Sequence, residues 1–445
     1  MANIALISLG CAKNQVNLEE MRHLLLAAGH TIVDEANGAD FAVVNTCGFI
    51  DSAKAEAIGH VLELAAYKQA RNLAHIIMTG CLSQRYESEI FTELPEVDGI
   101  LGTGSYSEIA TAVAQIEAGE RVALFGDIHA PLETKKRAIA NEAGWAYLKI
   151  AEGCDNHCAY CVIPSLRGRF RSRPLAGLLE EAEELTAAGV RELIIVAQDI
   201  TQYGKDLTEG ESLKTLITAL AEIKDLTWIR LHYLYPEGID EALIETIATT
   251  PKVLPYLDIP IQHISDKVLS KMNRRGTSAE IKALFTKLKH KIPNLVLRTS
   301  LITGLPYETE AEFEELAEFL LAFKLERVGV FPYSPQEGTA AEKMQNRVTM
   351  EEAERRAELL LDLQANVLDE FLTARIGREE EVLCLGFDPA QNMHYARSYA
   401  ESPDVDGLIW IKAQGLETGK HYLVRYTDLE NGELVANIPS EGQAK

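Results

Sequence analysis

The sequence predicts an α/β protein: an N-terminal parallel α/β domain, a central partial (β/α) barrel and a small C-terminal OB-like β-barrel. Three observations carry this. Short apolar runs alternate with helical patterns in the first part of the chain, and six more such runs alternate with helices in the middle. After Gly377 the texture changes to short β-rich runs broken by Gly, Pro and Asp.

In the first part, strands are expected at Asn3 to Leu9, Phe41 to Asn45 and His75 to Thr79, with helices from about Leu18 to Ala28 and Ser52 to Ala70. A stretch from about Gly126 to Gly144 holds Pro131 and the run Lys135-Lys136-Arg137 without apolar period, which suits a linker or exposed loop. The expected domains are therefore 1–120, 140–375 and 376–445. The middle runs lie at Tyr147 to Ala151, Leu193 to Ala197, Trp228 to Tyr233, Tyr256 to Ile261, Val296 to Ile302 and Val328 to Tyr333. Six βα units make a barrel-like domain shorter than the usual eight. A long amphipathic helix from about Met350 to Arg375 is expected to close it. The tail then reads as an all-β module with strands near Glu381 to Leu385, Leu408 to Ile411 and Tyr422 to Tyr426.

A chain of 445 residues, 47% hydrophobic and 25% charged, is long enough for several domains with real cores. The apolar start Ile4 to Leu9 has no preceding Lys or Arg and is too short for a signal-peptide core. No segment approaches the roughly 20 apolar residues that span a bilayer. A cytoplasmic protein with no membrane association is expected. The formal net charge of -24 repels phosphate backbones and attracts basic partners.

Seven cysteines in a reducing compartment point to metal or redox chemistry rather than disulfides. Cys154, Cys158 and Cys161, in EGCDNHCAYC, form a C-x3-C-x2-C triplet directly after the first strand of the middle domain. Three thiolates on a short loop can ligate three irons of a four-iron cluster and leave the fourth open. A zinc site with His157 as fourth ligand is the competing reading, although common zinc spacings differ. Cys11, Cys47 and Cys81 each follow an expected strand, about one βα unit apart. Strand ends of a parallel sheet share one edge, so these three can converge on one point; taken singly, each would read as a packing cysteine, and three at equivalent positions reverse that. Cys384, alone in an apolar run, reads as core.

At these residues the chain resembles the radical S-adenosylmethionine methylthiotransferase family over nearly its full length. The N-terminal cysteine domain resembles the family's auxiliary-cluster domain, EGCDNHCAYCVIPSLRGRFRSRP its radical centre, and the tail, including PDVDG, its TRAM domain. The phrases SLGCAKNQVNLEEM, NTCGFIDSAK, PIQH and FPYSPQEGT are similar to the branch that modifies an aspartate of small-subunit ribosomal protein twelve, rather than to the tRNA-modifying branch. One departure stands in TGLPYET, where Leu305 and Tyr307 replace the usual Phe and Gly and leave the shape of that loop open.

The resemblance implies two 4Fe-4S clusters, one on Cys154, Cys158 and Cys161, the other on Cys11, Cys47 and Cys81. The first would cleave S-adenosyl-L-methionine to a radical that abstracts hydrogen from an unactivated carbon, and the second would hold the sulfur to be transferred. Tyr160 is the expected neighbour of the adenine or else a packing residue of the loop. Gln198, His232, His263, Arg298 and Ser300, near strand ends, are candidates for lining the barrel mouth, with Arg298 and Ser300 on one strand face; each could instead serve structural hydrogen bonding. Arg167, Arg169, Arg171 and Arg173 could bind a carboxylate of cofactor or substrate, or form a solvated segment.

The implied partners are a small-subunit ribosomal protein or the assembled small subunit, and an electron donor. In the tail after Thr373, seven Lys and Arg stand against twelve Asp and Glu, a balance that suits a basic protein better than RNA. Methylthiolation of a tRNA adenosine is the runner-up, and an iron-sulfur electron carrier the reading from another class.

Overall fold

The computed structural model describes residues 1–133, 135–139, 143–207 and 210–439. Part of the expected linker, the expected start of the middle domain at 140 and the expected end of the last at 445 lie outside the described residues. In chain order the strands are β1 (Asn3–Ser8), β2 (Thr31–Val33), β3 (Phe41–Thr46), β4 (His75–Gly80), β5 (Gly99–Leu101), β6 (Val122–Leu124), β7 (Trp145–Lys149), β8 (Ala151–Glu152), β9 (Arg171–Ser172) and β10 (Glu192–Val196). There follow β11 (Trp228–Leu231), β12 (Val253–Asp258), β13 (Val296–Thr303), β14 (Arg327–Pro332), β15 (Glu379–Asp388), β16 (Met393–Arg397), β17 (Ile409–Ile411), β18 (His421–Glu430) and β19 (Glu433–Asn437).

The first sheet is parallel with order β2-β1-β3-β4-β5-β6. Its inner strands are apolar because helices cover both faces; all six residues of Phe41–Thr46 are buried. The three-residue strands β2, β5 and β6 are too short for a hydrophobic period and were not legible in the sequence. The first helix runs Ala12–Ala27, starting six residues before the expected Leu18. Its first turns carry Lys13, Asn14 and Asn17, polar yet buried, so no apolar stripe announces them.

The middle sheet is also parallel, in the order β14-β13-β12-β11-β10-β7, six strands in sequence with no closure between β7 and β14. Leu148, Leu193, Ile195, Ile229, Leu231 and Leu257 point into one core with the surrounding helices. The alternate residues, including Trp145, Tyr147, Ile194, Val196, Trp228 and Tyr256, face the concave side. There they pack on Val16 of the first helix and on Leu383 and Ala400 of the C-terminal domain, so all three domains share a core. The helix Met350–Thr373 packs along the edge strand β14. Thr303 donates to the Ala353 carbonyl at 2.8 Å, and the Gln364 amide reaches the Leu325 carbonyl at 3.1 Å.

The C-terminal strands form a closed barrel in the order β15-β16-β17-β19-β18. Closure removes edge strands, and Cys384 is fully buried inside, as expected. The segment between β16 and β17 does something the sequence did not announce: it plugs the open middle barrel. Asp404 accepts from Tyr147 at 3.1 Å, Asp406 from Tyr256 at 2.7 Å, and the carbonyls of Ser398 and Tyr399 from Arg230. Behind them Glu192 accepts from Arg230 at 2.7 Å and from Arg397 at 2.8 Å, with all three side chains buried. Glu401 is bound by Arg375 and by Arg327. Among the described residues no helix is long and apolar enough to cross a membrane.

Candidate functional site

The triplet loop leaves β7 and β8 and is pinned at both ends. The Cys154 amide donates to the Gly168 carbonyl, and Ala159 N–H to the Met272 carbonyl at 2.9 Å. Amide hydrogens already aim at the sulfurs: Asn156 N–H to Cys154 Sγ and Ile163 N–H to Cys161 Sγ, each 3.4 Å. Cys158 Sγ lies 3.6 Å from the Tyr235 hydroxyl and 3.8 Å from Arg274 Nη1. Burial pushes the Cys154 thiol up to about 11 and that of Cys161 up to about 12. Thiolates here must therefore be formed against an acceptor of their charge, and metal binding supplies one by displacing the protons.

Cys11 caps the first helix after β1, Cys47 follows β3, and Cys81 opens the helix Cys81–Tyr86 after β4. The parallel order β1-β3-β4 sets these ends side by side. Two glycines make the approach possible. A methyl on Gly10, whose φ is +122°, would sit 3.1 Å from Cys47 Cβ, and one on Gly48 would sit 2.9 Å from the backbone of Cys81 and Leu82. Burial and then the neighbouring Cys81 raise the Cys47 thiol to about 11. Cys11 differs: its crowded setting pushes the thiol up, but Lys13 and then Arg167 outweigh that and leave it below its ordinary value.

The two sets meet. Cys81 packs with Val162 and Leu166, residues of the turn that follows Cys161, and with Phe49. Among the described residues, no group of three or more His, Cys, Asp or Glu converges on a point that could hold a single metal ion. A zinc site needs ligands within about 2.0–2.3 Å of one centre, and the exposed His157 is not drawn in as a fourth. All six cysteines of the two sets are free, so each thiol is available to a different iron of a four-iron core.

The other sequence candidates divide. Tyr160 is buried in an apolar cluster with Val268, Met272, Leu305 and Tyr333 beside Cys158. Gln198 donates to Glu152 at 2.7 Å, while its carbonyl oxygen is buried without a partner among the described residues. Arg298 and Ser300 share the half-buried face of β13, and Arg298 is fixed by Asp258 at 2.9 Å. His232 bonds Ser402 of the plug at 2.9 Å, and burial, then the Arg230 charge, hold its ring well below its ordinary value. It is a neutral domain-interface residue rather than a lining of the mouth. His263 lies buried against Glu308 at 3.2 Å. At the departure, Tyr307 takes φ +71°, a conformation that glycine adopts freely and tyrosine only under strain, with its ring facing Lys271; nothing in the structure explains the tyrosine.

The arginine run also divides. Arg169 is exposed, Arg171 spends its guanidinium on the carbonyls of Arg167, Arg169 and Ala130, and Arg173 is buried on Glu181. Arg167 turns inward to the second cysteine set, a placement the motif by itself did not disclose.

Three family models match the chain in order: Uncharacterized protein family UPF0004 over residues 3–102, the Radical SAM superfamily over 148–320, and the TRAM domain over 376–438. A relative from Geobacter sulfurreducens called ribosomal protein uS12 methylthiotransferase RimO is 44% identical over 440 residues, 98% of this chain and 98% of its own. One of the same name from Thermoanaerobacter sp. is 41% identical over 439 residues, 98% and 99% of the two chains. This chain belongs to the RimO family. Among solved structures, the radical S-adenosylmethionine methyltransferase TsrM from Kitasatospora setae, with cobalamin and a 4Fe-4S cluster bound, shares the fold. Its TM-score is 0.57 at 15% identity, covering 75% of this chain and 76% of that one.

Members of the RimO family are radical S-adenosylmethionine methylthiotransferases, which work with S-adenosylmethionine and 4Fe-4S clusters. The residues present fit such groups: six unpaired thiols in two sets of three, amide hydrogens aimed at sulfur, and an unpaired Gln198 oxygen nearby. The glycine contacts give a first expected result. Gly48→Ala forces the Cys47 and Cys81 segments apart, so the variant should lose up to about half of its iron and about 1–3 kcal/mol of stability, as overpacking does. Iron content beside thermal unfolding checks it; wild-type values for both would refute the close-approach argument.

Proposed function

We propose that the chain is a radical S-adenosylmethionine methylthiotransferase that adds a methylthio group to the β-carbon of an aspartate in ribosomal protein uS12. One observation above all supports this reading: two sets of three free cysteines on adjoining domains, with Val162 and Leu166 of the triplet loop packed on Cys81, in a chain matching RimO relatives end to end. A simple electron carrier has no use for two cysteine sets on adjoining domains with a six-stranded parallel sheet behind one of them.

In this reading Cys154, Cys158 and Cys161 hold one 4Fe-4S cluster and Cys11, Cys47 and Cys81 the other. When bound, these groups and S-adenosylmethionine supply the radical chemistry and the sulfur. The chain positions and protects. Arg298, held by Asp258, offers its remaining guanidinium hydrogens to a carboxylate, and Ser300 adds a hydroxyl on the same face. The Gln198 oxygen, aimed by the bond to Glu152, accepts from a cofactor amine or hydroxyl. Tyr160 and its apolar neighbours keep water from the adenosyl group. The acidic tail faces a basic ribosomal protein, either free or in the small subunit, and an electron donor of the cytoplasm completes the system.

The test is mass spectrometry of small subunits and of tRNA after anaerobic incubation with the cluster-loaded protein, S-adenosylmethionine and a reductant. A methylthio mass gain on the uS12 aspartate is expected. A gain on tRNA adenosine alone would overturn the substrate, and reversible reduction without 5'-deoxyadenosine would overturn the chemistry.

A further inference from the structure

Arg167 is 2% exposed, and every arm of its guanidinium is spent. Nε donates to Cys81 Sγ at 3.3 Å, Nη1 to Asn17 at 2.9 Å and to Glu152 at 3.1 Å, and Nη2 to Asn14. Asn14 and Asn17 sit in the opening turns of the helix that Cys11 caps, and Cys11 Sγ lies 3.8 Å from the same Asn14 oxygen. Asn14 in turn donates to the carbonyls of Leu9 and Thr46, the residues before the Cys11 and Cys47 turns. One side chain thus touches Cys81 directly and the other two cysteine turns through one asparagine.

The same side chain is tied to the other cysteine set. Arg167 ends the short helix Ile163–Arg167, whose first amide donates to Cys161 Sγ. Glu152, its counter-ion, lies two residues before Cys154 and is also held by Lys149 at 3.1 Å and by Gln198. Glu152 thus pairs with two buried cations at once, Arg167 and Lys149, each at 3.1 Å. A buried cation beside a cluster sulfur, with an anion one step behind it, stabilises the reduced, more negative cluster by an amount the anion partly cancels.

We propose that Arg167 is a positioning residue that donates its Nε hydrogen to the Cys81 sulfur of the N-terminal cluster, sets that cluster's reduction potential, and couples it through Glu152 to the radical loop. The inference rests on the assignment of Cys11, Cys47 and Cys81 as cluster ligands. Arginine is required because four acceptors on two domains are met at once by one planar fork; a lysine reaches only some of them.

The experiment is a redox titration followed by electron paramagnetic resonance on the full chain, with the triplet replaced by alanine so that only the N-terminal cluster reports. Arg167→Gln should retain its iron and shift the midpoint to more negative potential, and Arg167→Lys should recover part of the shift. Glu152→Gln should shift it the opposite way. Unchanged potential in iron-replete Arg167→Gln, or shifts of one sign in both variants, would overturn the proposal. If Arg167→Gln does not fold, Glu152→Gln decides by itself: no positive shift refutes the coupling. Full N-terminal iron in Cys81→Ala would instead sink the ligand assignment on which the proposal rests.

Discussion

Replacing Cys158 by Ala is expected to abolish 5'-deoxyadenosine formation. Cys158 is the middle residue of the triplet and the one whose sulfur faces Tyr235 and Arg274, which enclose it. Substituting an outer partner of a metal ligand costs about 10–100-fold, and removing the ligand itself should cost more, leaving cleavage below detection. Cys47→Ala supplies the contrast. It lies in the other set, directly after β3 of the N-terminal sheet, so some cleavage should persist while methylthio transfer stops. Liquid chromatography of the nucleoside and mass spectrometry of uS12 separate the two. Equal loss of cleavage in both variants would mean that the two sets do not act as distinct centres.

Glu192→Ala should produce the largest loss of stability, about 3–5 kcal/mol, because it leaves two arginines buried without their shared anion. Glu192 and Arg230 are 0% exposed and Arg397 is 1% exposed, so water cannot replace the lost carboxylate without opening the seam between middle domain and C-terminal barrel. Acid should loosen the same seam. Although burial raises it, Arg375 and Arg327 hold the Glu401 carboxyl down to about 2 from an ordinary 4.5. Glu192 is likewise lowered by Arg397 and Arg230 against burial. Because both folded-state values are depressed, their stabilisation is complete above about pH 4.5 and is lost as pH falls towards about 2. Denaturant unfolding of the variant at neutral pH, and of the wild type across that window, measures both effects; an unchanged midpoint in Glu192→Ala would show the triad to be dispensable.

Much of this protein was legible from its sequence. Long apolar runs of the right period placed the inner strands of both sheets, because burial on both faces of a parallel sheet leaves a mark within a few residues. The C-x3-C-x2-C triplet was visible because its residues act within one loop, and Cys11, Cys47 and Cys81 because each directly follows a strand of a βα unit. The short strands Thr31–Val33 and Gly99–Leu101 left no period to read.

Only the tertiary structure decided the inward turn of Arg167, the shared anion Glu192, the neutral His232 and the plug carrying Asp404 and Asp406. Each is a polar residue paired with a partner far away in the chain, and all but Asp404 and Asp406 are buried. Hydropathy and spacing mark such a residue as surface, because they carry the cost of burying a charge but not the partner that repays it; that partner exists only once the domains have met.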